Sequence, residues 1–178
     1  MLVRSKKSKA ASPEAKHPQE SESTCPRHVA VIMDGNRRWA SERGLPRQAG
    51  YRAGTENIRR LIQAFADRNV EYLTLFAFST ENWKRPKREI NPLFKLIGRV
   101  VDREVGALHA NGVRIRHIGS LEPLQSDLRQ RILDAIELTK DNRRMTVCVA
   151  FNYGGRAEIV EAAKRIVEIG RASCRERV

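Results

Sequence analysis

The stretch Val31-Ile32-Met33-Asp34-Gly35-Asn36-Arg37-Arg38-Trp39 decides the architecture, because within nine residues it passes from a buried strand into a turn and then into a helix. An apolar run, His28–Asp34, ends in an acid. Gly35 and Asn36 then permit a sharp reversal, and a helix bearing two arginines and a tryptophan follows. Outward from this point, strand-like and helix-like segments alternate. Ile58, Leu61, Ile62, Phe65 and Ala66 recur at the helical period before Tyr72–Phe78, a near-continuous apolar run of the kind buried on both faces. Leu93, Ile97, Val100, Val101, Val105 and Leu108 mark a helix with Pro92 near its start and Asn111-Gly112 as its stop. Val113–Gly119 reads as a third strand, Leu124 to Ile136 as a helix, Met145–Asn152 as a fourth strand, and Ile159 to Val167 as a last helix. Four βα units in succession predict an α/β fold with an open, mostly parallel sheet flanked by helices.

In such sheets ligands bind beyond the carboxyl ends of the strands, where a helix N-terminus offers free N–H groups to phosphate. Asp34 at that place is a natural Mg²⁺ ligand, since the hard cation takes carboxylate oxygen and shares its shell with water and phosphate. An ordinary turn uses the same Asp-Gly-Asn residues. A second polar cluster, Ser79-Thr80-Glu81-Asn82-Trp83-Lys84-Arg85-Pro86, follows the next strand and could hold a polar head shielded by rings. It could equally be an exposed loop in which Pro86 blocks a helix. Between the two lies Gly44-Leu45-Pro46-Arg47-Gln48-Ala49-Gly50-Tyr51-Arg52, glycine-rich and basic, where an arginine is more often solvated than bound.

Composition narrows the classes. The chain has 178 residues, 40% hydrophobic, enough for one domain with a core. Its longest apolar runs fall far short of the roughly 20 residues needed to span a bilayer. Met1–Pro26, rich in Lys, Ser, Ala and Glu without an apolar segment, is expected to be a disordered basic tail on a cytoplasmic protein. Cys25, Cys148 and Cys174 lack disulfide or zinc spacing. The net charge of +13 calls for an anionic partner, and nucleic acid, anionic lipid and diphosphates all qualify. The end, Glu168–Val178, loses the apolar period at Gly170 and resembles the translation of a sequencing-library adapter, so 168–178 are expected to be non-native read-through after a domain spanning 27–167.

Three runs, His28–Trp39, Thr74–Pro86 with Glu89, and Asn152-Tyr153-Gly154-Gly155-Arg156, resemble in order and spacing the signatures of the cis-prenyltransferases, the undecaprenyl diphosphate synthase family. The resemblance covers nearly all of 27–167, and the Asp-rich helix motifs of the trans-prenyltransferases are missing, as that family requires. It implies an Mg²⁺-dependent enzyme that condenses isopentenyl diphosphate with an allylic prenyl diphosphate such as farnesyl diphosphate. By position it implies that Asp34 engages the metal and the allylic diphosphate, that Gly35, Asn36, Arg37, Arg38 and Trp39 form the diphosphate loop, and that Arg47 lies outside it. Tyr51 would add a phosphate contact. Ser79, Thr80, Glu81, Trp83 and Arg85 would cover the reacting ends of both substrates, with Asn82 positioning the group that takes the proton and Glu89 near the loop end. Phe76, Phe78, Leu93, Ile97 and Val101 are candidate walls for the growing chain, although periodicity alone reads them as core.

Departures from the family matter too. Tyr51 stands where many bacterial members carry His, and Arg37 where many carry Gly. The family's C-terminal Arg-rich segment, its late metal-binding Glu, part of its sheet and most of its homodimer surface have no counterpart, so this chain is expected to be catalytically impaired and to expose an unpaired sheet edge. The resemblance also allows transient association with a membrane surface. A basic RNA-binding domain is the rival that charge favours, but no module supports it and no nucleic acid is expected. A non-catalytic partner subunit of a prenyltransferase would lack the metal aspartate, and no phosphatase or kinase motif is present.

Overall fold

The computed structural model describes residues 25–175, with side chains described through residue 170. The expected tail therefore lies, up to residue 24, outside the described residues. The elements run β1 (His28–Ile32), α1 (Asn36–Ser41), α2 (Arg47–Ala66), β2 (Tyr72–Ser79), a 3₁₀ turn (Thr80–Lys84), α3 (Lys87–Ala110), β3 (Val113–Ile118), α4 (Ser126–Thr139), β4 (Met145–Tyr153) and α5 (Gly155–Arg175). The strands lie in the order β1-β2-β4-β3 and every pair is parallel, as the βα alternation predicts.

Strand periodicity sorts the side chains. Leu73 and Leu75 of β2, Val113 of β3, and Met145 and Val147 of β4 point to one face and pack with Ile62 and Ala66 of α2. A second cluster joins Phe78 and Phe151 to Ile90 and Phe94 of α3 and to Leu128 of α4. Helices α2, α3 and α4 thus crowd one face of the sheet. On the other, Ile32 is 76% exposed and Phe76 is only partly buried, so β2 is not the doubly buried strand its composition suggests. Helix α5 does not cover that face either: Ile159, Val160, Ile166, Val167 and Ile169 remain exposed along it. It also continues through Gly170 to Arg175, so the lost apolar period there does not end the helix.

Other boundaries moved for local reasons. The β1 ladder stops two residues before Asp34, because the Asp34 N–H turns back to the Ile32 carbonyl at 3.0 Å. Pro86 does not block a helix. It precedes α3, which starts at Lys87 and carries Pro92 in its interior, where the missing N–H leaves the Arg88 carbonyl without its intrahelical donor. At the β3 edge the Ile115 N–H donates to the Thr139 hydroxyl of α4 at 3.0 Å, which partly covers that edge. β1, paired on one side by β2, is the edge that fits the expected unpaired one. Cys25 and Cys148 are free thiols, and Cys174 falls outside the described side chains.

Helix α2 crosses α1 at its glycines. A Cβ built on Gly50 would fall inside the Asn36 carbonyl, and one on Gly54 would lie 2.5 Å from the Asn36 amide oxygen. Gly106 on α3 faces open space. The same substitution should therefore act with opposite sign at the two sites. Gly50→Ala should lower unfolding free energy by about 1–3 kcal/mol through overpacking, whereas Gly106→Ala should raise it by about 0.5–1 kcal/mol. Urea denaturation of both variants checks the pair, and equal effects would contradict the α1–α2 contact.

Candidate active site

Parallel pairing delivers the carboxyl ends of β1, β2 and β4 to one edge of the sheet, side by side. At the end of β1, Gly35 adopts φ 84°, a left-handed conformation that costs glycine little, and its N–H donates to Asp34 Oδ1 at 2.6 Å. Asp34 Oδ2 lies 3.6 Å from an Arg38 guanidinium nitrogen, and the Asp34 side chain is 78% exposed. One carboxylate oxygen is thus oriented by the backbone while the other faces solvent beside a cation. Trp39 stacks under the Arg43 guanidinium, 4.5 Å from its ring centre.

At the end of β2 the 3₁₀ turn is closed by a reciprocal cap. The Ser79 N–H donates to Asn82 Oδ1 at 3.2 Å, and the Ser79 side chain receives the backbone N–H of Asn82. Asn82 thereby has its carbonyl oxygen engaged, and the residue itself lines the site. The Glu81 carboxyl is held below the usual range chiefly by its own backbone N–H, then by the Ser79 hydroxyl. Arg47, at the start of α2, donates to Glu89 Oε1 at 2.6 Å. The outlying arginine and the acid near the loop end are therefore partners, a pairing that their separation of more than forty positions concealed.

Beneath these groups lies a cavity of about 850 Å³, within the 300–1,000 Å³ typical of small-molecule sites. Its mouth is lined by Asp34, Gly35, Asn36, Arg37 and Arg38, with Arg47, Tyr51, Asn82 and Arg85. Its depth is apolar, formed by Ile58 and Ile62 of α2, by Leu93, Ile97 and Val101 of α3, and by the inward face of the sheet. From Leu93 to Leu108 the α3 wall runs about 22 Å at 1.5 Å per residue. Arg59 and Glu104, paired at 2.7 Å, border the far part.

The structure gathers most of the sequence candidates at this mouth, but Trp39, Ser79, Thr80, Glu81 and Trp83 do not line the cavity. Trp83 packs edge-on against Phe78 and Phe94, and its indole N–H donates to Asn152 Oδ1 at 2.7 Å. Of the candidate chain walls, Phe76 and Phe78 do not line the cavity. Phe76 lies on the opposite face, edge-on to Tyr153. Phe78 is fully buried in the second core cluster, because a register shift after Phe76 brings it opposite Phe151 on the helix-covered side. Leu93, Ile97 and Val101 do line the cavity.

For Mg²⁺, the donor set is one oriented carboxylate, Asp34. Among the described residues no group of three or more His, Cys, Asp or Glu side chains stands together to form a protein cage for a metal ion. A single carboxylate suits Mg²⁺, which keeps waters and takes phosphate oxygens for the rest of its shell.

Comparison with known proteins bears on this arrangement. A family model described as "Putative undecaprenyl diphosphate synthase" matches residues 32–177. The isoprenyl transferase of Heliobacterium mobile is 54% identical over 144 residues, covering 81% of this chain and 55% of that protein. Isoprenyl transferase 2 of Bradyrhizobium diazoefficiens is 48% identical over 159 residues, covering 89% and 62%. The solved lavandulyl diphosphate synthase from Lavandula x intermedia, in complex with dimethylallyl diphosphate, gives a TM-score of 0.80 at 32% identity and covers 83% of this chain and 63% of that one. A probable undecaprenyl diphosphate synthase from Campylobacter jejuni gives 0.68 at 39% identity, covering 81% and 62%. The chain thus spans under two thirds of the length of each of these proteins.

One titratable ring lies in the apolar part of the cavity. His117 Nε2 is 2.9 Å from the Phe151 carbonyl, and burial pushes the imidazole below its usual range although that carbonyl favours the charged form. A lowered folded value means that the unfolded chain binds the proton more readily, so this stability is complete above about pH 6.5 and is lost as pH falls toward the folded value. The melting temperature should accordingly drop on acidification below about pH 6.5. In His117→Gln, whose amide can still donate to the Phe151 carbonyl, the drop should be shallower; an unchanged slope would exclude His117 as its source.

Proposed function

The chain belongs to the undecaprenyl diphosphate synthase family, and from that membership we propose that the whole protein is a cis-prenyltransferase, joining isopentenyl diphosphate to an allylic prenyl diphosphate such as farnesyl diphosphate to build a long-chain polyprenyl diphosphate. The observation that carries the reading is an apolar cavity of about 850 Å³ whose mouth holds Asp34, Arg37 and Arg38. A polar head with a long hydrocarbon tail matches that division between charged rim and greasy interior.

Asp34, with the substrate's phosphates, would hold Mg²⁺, which supplies neutralisation of the charge that gathers on the leaving diphosphate. Gly35, whose N–H orients Asp34 Oδ1, keeps that carboxylate turned outward. Asn36, Arg37 and Arg38 bind the allylic diphosphate, with Trp39 flanking the loop. Arg47, fixed by Glu89, and Tyr51, through its phenol, add contacts at the rim. As the allylic carbon–oxygen bond breaks, the diphosphate leaves with the electron pair and the isopentenyl double bond attacks the electron-poor carbon. The new carbon–carbon bond forms, a proton is lost from the adjacent carbon, and the resulting double bond is cis. Asn82 is a poor base but a capable orienting group, because the Ser79 N–H fixes its amide. It positions the acceptor of that proton. Ser79, Thr80, Glu81, Trp83 and Arg85 hold the turn over the isopentenyl diphosphate, and Leu93, Ile97 and Val101 accommodate the growing chain.

This reading places the protein in the cytoplasm as a homodimer with transient contact to a membrane surface. Among the described residues no helix is long and apolar enough to cross a membrane. The RNA-binding alternative gains nothing from the tryptophans, since the Trp83 indole is tied to Asn152 and neither ring lies on a strand face.

Incorporation of radiolabelled isopentenyl diphosphate into extractable lipid tests the reading. In a full-length form of the protein, Asp34→Ala should reduce the rate by at least about 10²–10³-fold. The 178-residue chain on its own should be slower than that full-length form, since no described residues cover its α5 stripe or the second face of the sheet. Parental turnover by Asp34→Ala would refute the proposal.

A further inference from the structure

Asn152, the penultimate residue of β4, adopts φ 53° while only 5% of it is exposed. A non-glycine residue in that conformation costs on the order of 1 kcal/mol or more, and surroundings must hold it there. Here they do. Asn152 Oδ1 accepts the Trp83 indole N–H at 2.7 Å, its Nδ2 donates to the Ser120 carbonyl at 2.8 Å, and its own carbonyl accepts the Ser120 N–H at 3.3 Å. One buried amide thus joins the end of β4, the segment after β3 and the 3₁₀ turn after β2. A second contact supports the same junction: a Cβ on Gly154 would collide with the Thr80 hydroxyl, so the chain after β4 lies flush against the start of the turn.

The turn behaves as a unit. Its Ser79–Asn82 cap is internal, so whatever fixes Trp83 also fixes Asn82, one residue before it, at the cavity mouth. The ring contacts of Trp83 with Phe78 and Phe94 are edge-on packing contacts, which lack the directionality of a hydrogen bond. The hydrogen bond to Asn152 supplies the missing directional restraint.

We propose that Asn152 is a positioning residue of the active site: through the Trp83 indole N–H it sets the height at which the Thr80–Lys84 turn presents Asn82 to the substrates. The proposal rests on the prenyl-transfer reading for its catalytic consequence, but the indole tether itself can be measured without turnover.

Two experiments decide it. In ¹⁵N-labelled protein the two indole N–H signals are assigned with Trp83→Phe, and the exchange of the Trp83 signal with solvent is timed. Asn152→Ala should accelerate that exchange by at least roughly 10-fold, because the proton loses its buried acceptor. Asn152→Asp, which keeps an oxygen for the indole but loses the donor to the Ser120 carbonyl, should leave it closer to the parent even where stability falls. Unchanged exchange in Asn152→Ala overturns the tether. In the full-length protein, Asn152→Ala and Trp83→Phe should each lower kcat by roughly 10- to 100-fold with KM for isopentenyl diphosphate little changed, as for a group displaced by about 1 Å. The double variant should be no worse than the poorer single, since both break the same link, and Asn152→Asp should recover part of kcat. Losses that multiply in the double variant, or a kcat unchanged well below the melting temperature, overturn the positioning role. Should Asn152→Ala fail to fold, Asn152→Gly, which suits φ 53° and likewise removes the acceptor, carries the exchange measurement, and Trp83→Phe with Asn152→Asp carries the turnover measurement. A parent that exchanges as expected yet transfers no prenyl group would refute the prenyl-transfer reading and leave the tether standing.

Discussion

Parallel pairing of β2 between β1 and β4 is the constraint on which the site depends. Ile32 pairs with Phe76 and Ser79 with Tyr153, so the two ladders run out within a few residues of one another. Asp34, the Ser79–Asn82 turn and Asn152 all emerge from those ends. A one-residue slip would reverse the facing of every side chain on the slipped strand. It would also part Asn152 from the Trp83 indole. The alternating core, Leu73 and Leu75 against Val147, specifies the register, and the register specifies the mouth.

The cavity lies between α2, α3 and the sheet, and two ion pairs tie those helices to each other beside it. Arg47 reaches Glu89 near the mouth, and Arg59 reaches Glu104 farther along the same two helices. The Glu104 side chain is 14% exposed and has Arg103 as a second partner. Burial pushes its carboxyl up, and the two guanidiniums together outweigh that and hold it below the usual range. Between the two pairs Tyr51, Thr55 and Ile58 of α2 and the apolar Leu93, Ile97, Val100 and Val101 of α3 line the space instead of filling it. The sequence period assigned these residues to a helix face but could not separate a packed face from a hollow one. Both place an apolar side chain every three to four residues.

That ambiguity marks the limit of what could be read in advance. The alternation of elements, the strand ends bearing Asp34 and Ser79, and the helix following Gly35 were legible, because each rests on local periodicity and turn chemistry. The position of Phe78 was not: it depends on a bulge, which a string of apolar residues does not announce. Nor was the pairing of Trp83 with Asn152, which lies in a different signature and meets the indole only through the sheet. Gly50 belonged to a stretch noticed for its charge, while its role is to admit the Asn36 carbonyl. The exposed stripe of α5 looks from its spacing like any amphipathic helix, and no period reports whether its partner surface is present.

The strand order has a kinetic side. β4 is made after β3, yet it lies between β3 and β2. During synthesis the first three strands must therefore wait with a vacant slot, and Tyr72 meets Thr146 only after two intervening helices and a strand have left the ribosome. Closure over such separations is slow, and until it happens β2 keeps an apolar edge open to foreign strands. Insertion of the last strand is thus the step at which the nascent chain passes from a species prone to misassembly to one whose site can form.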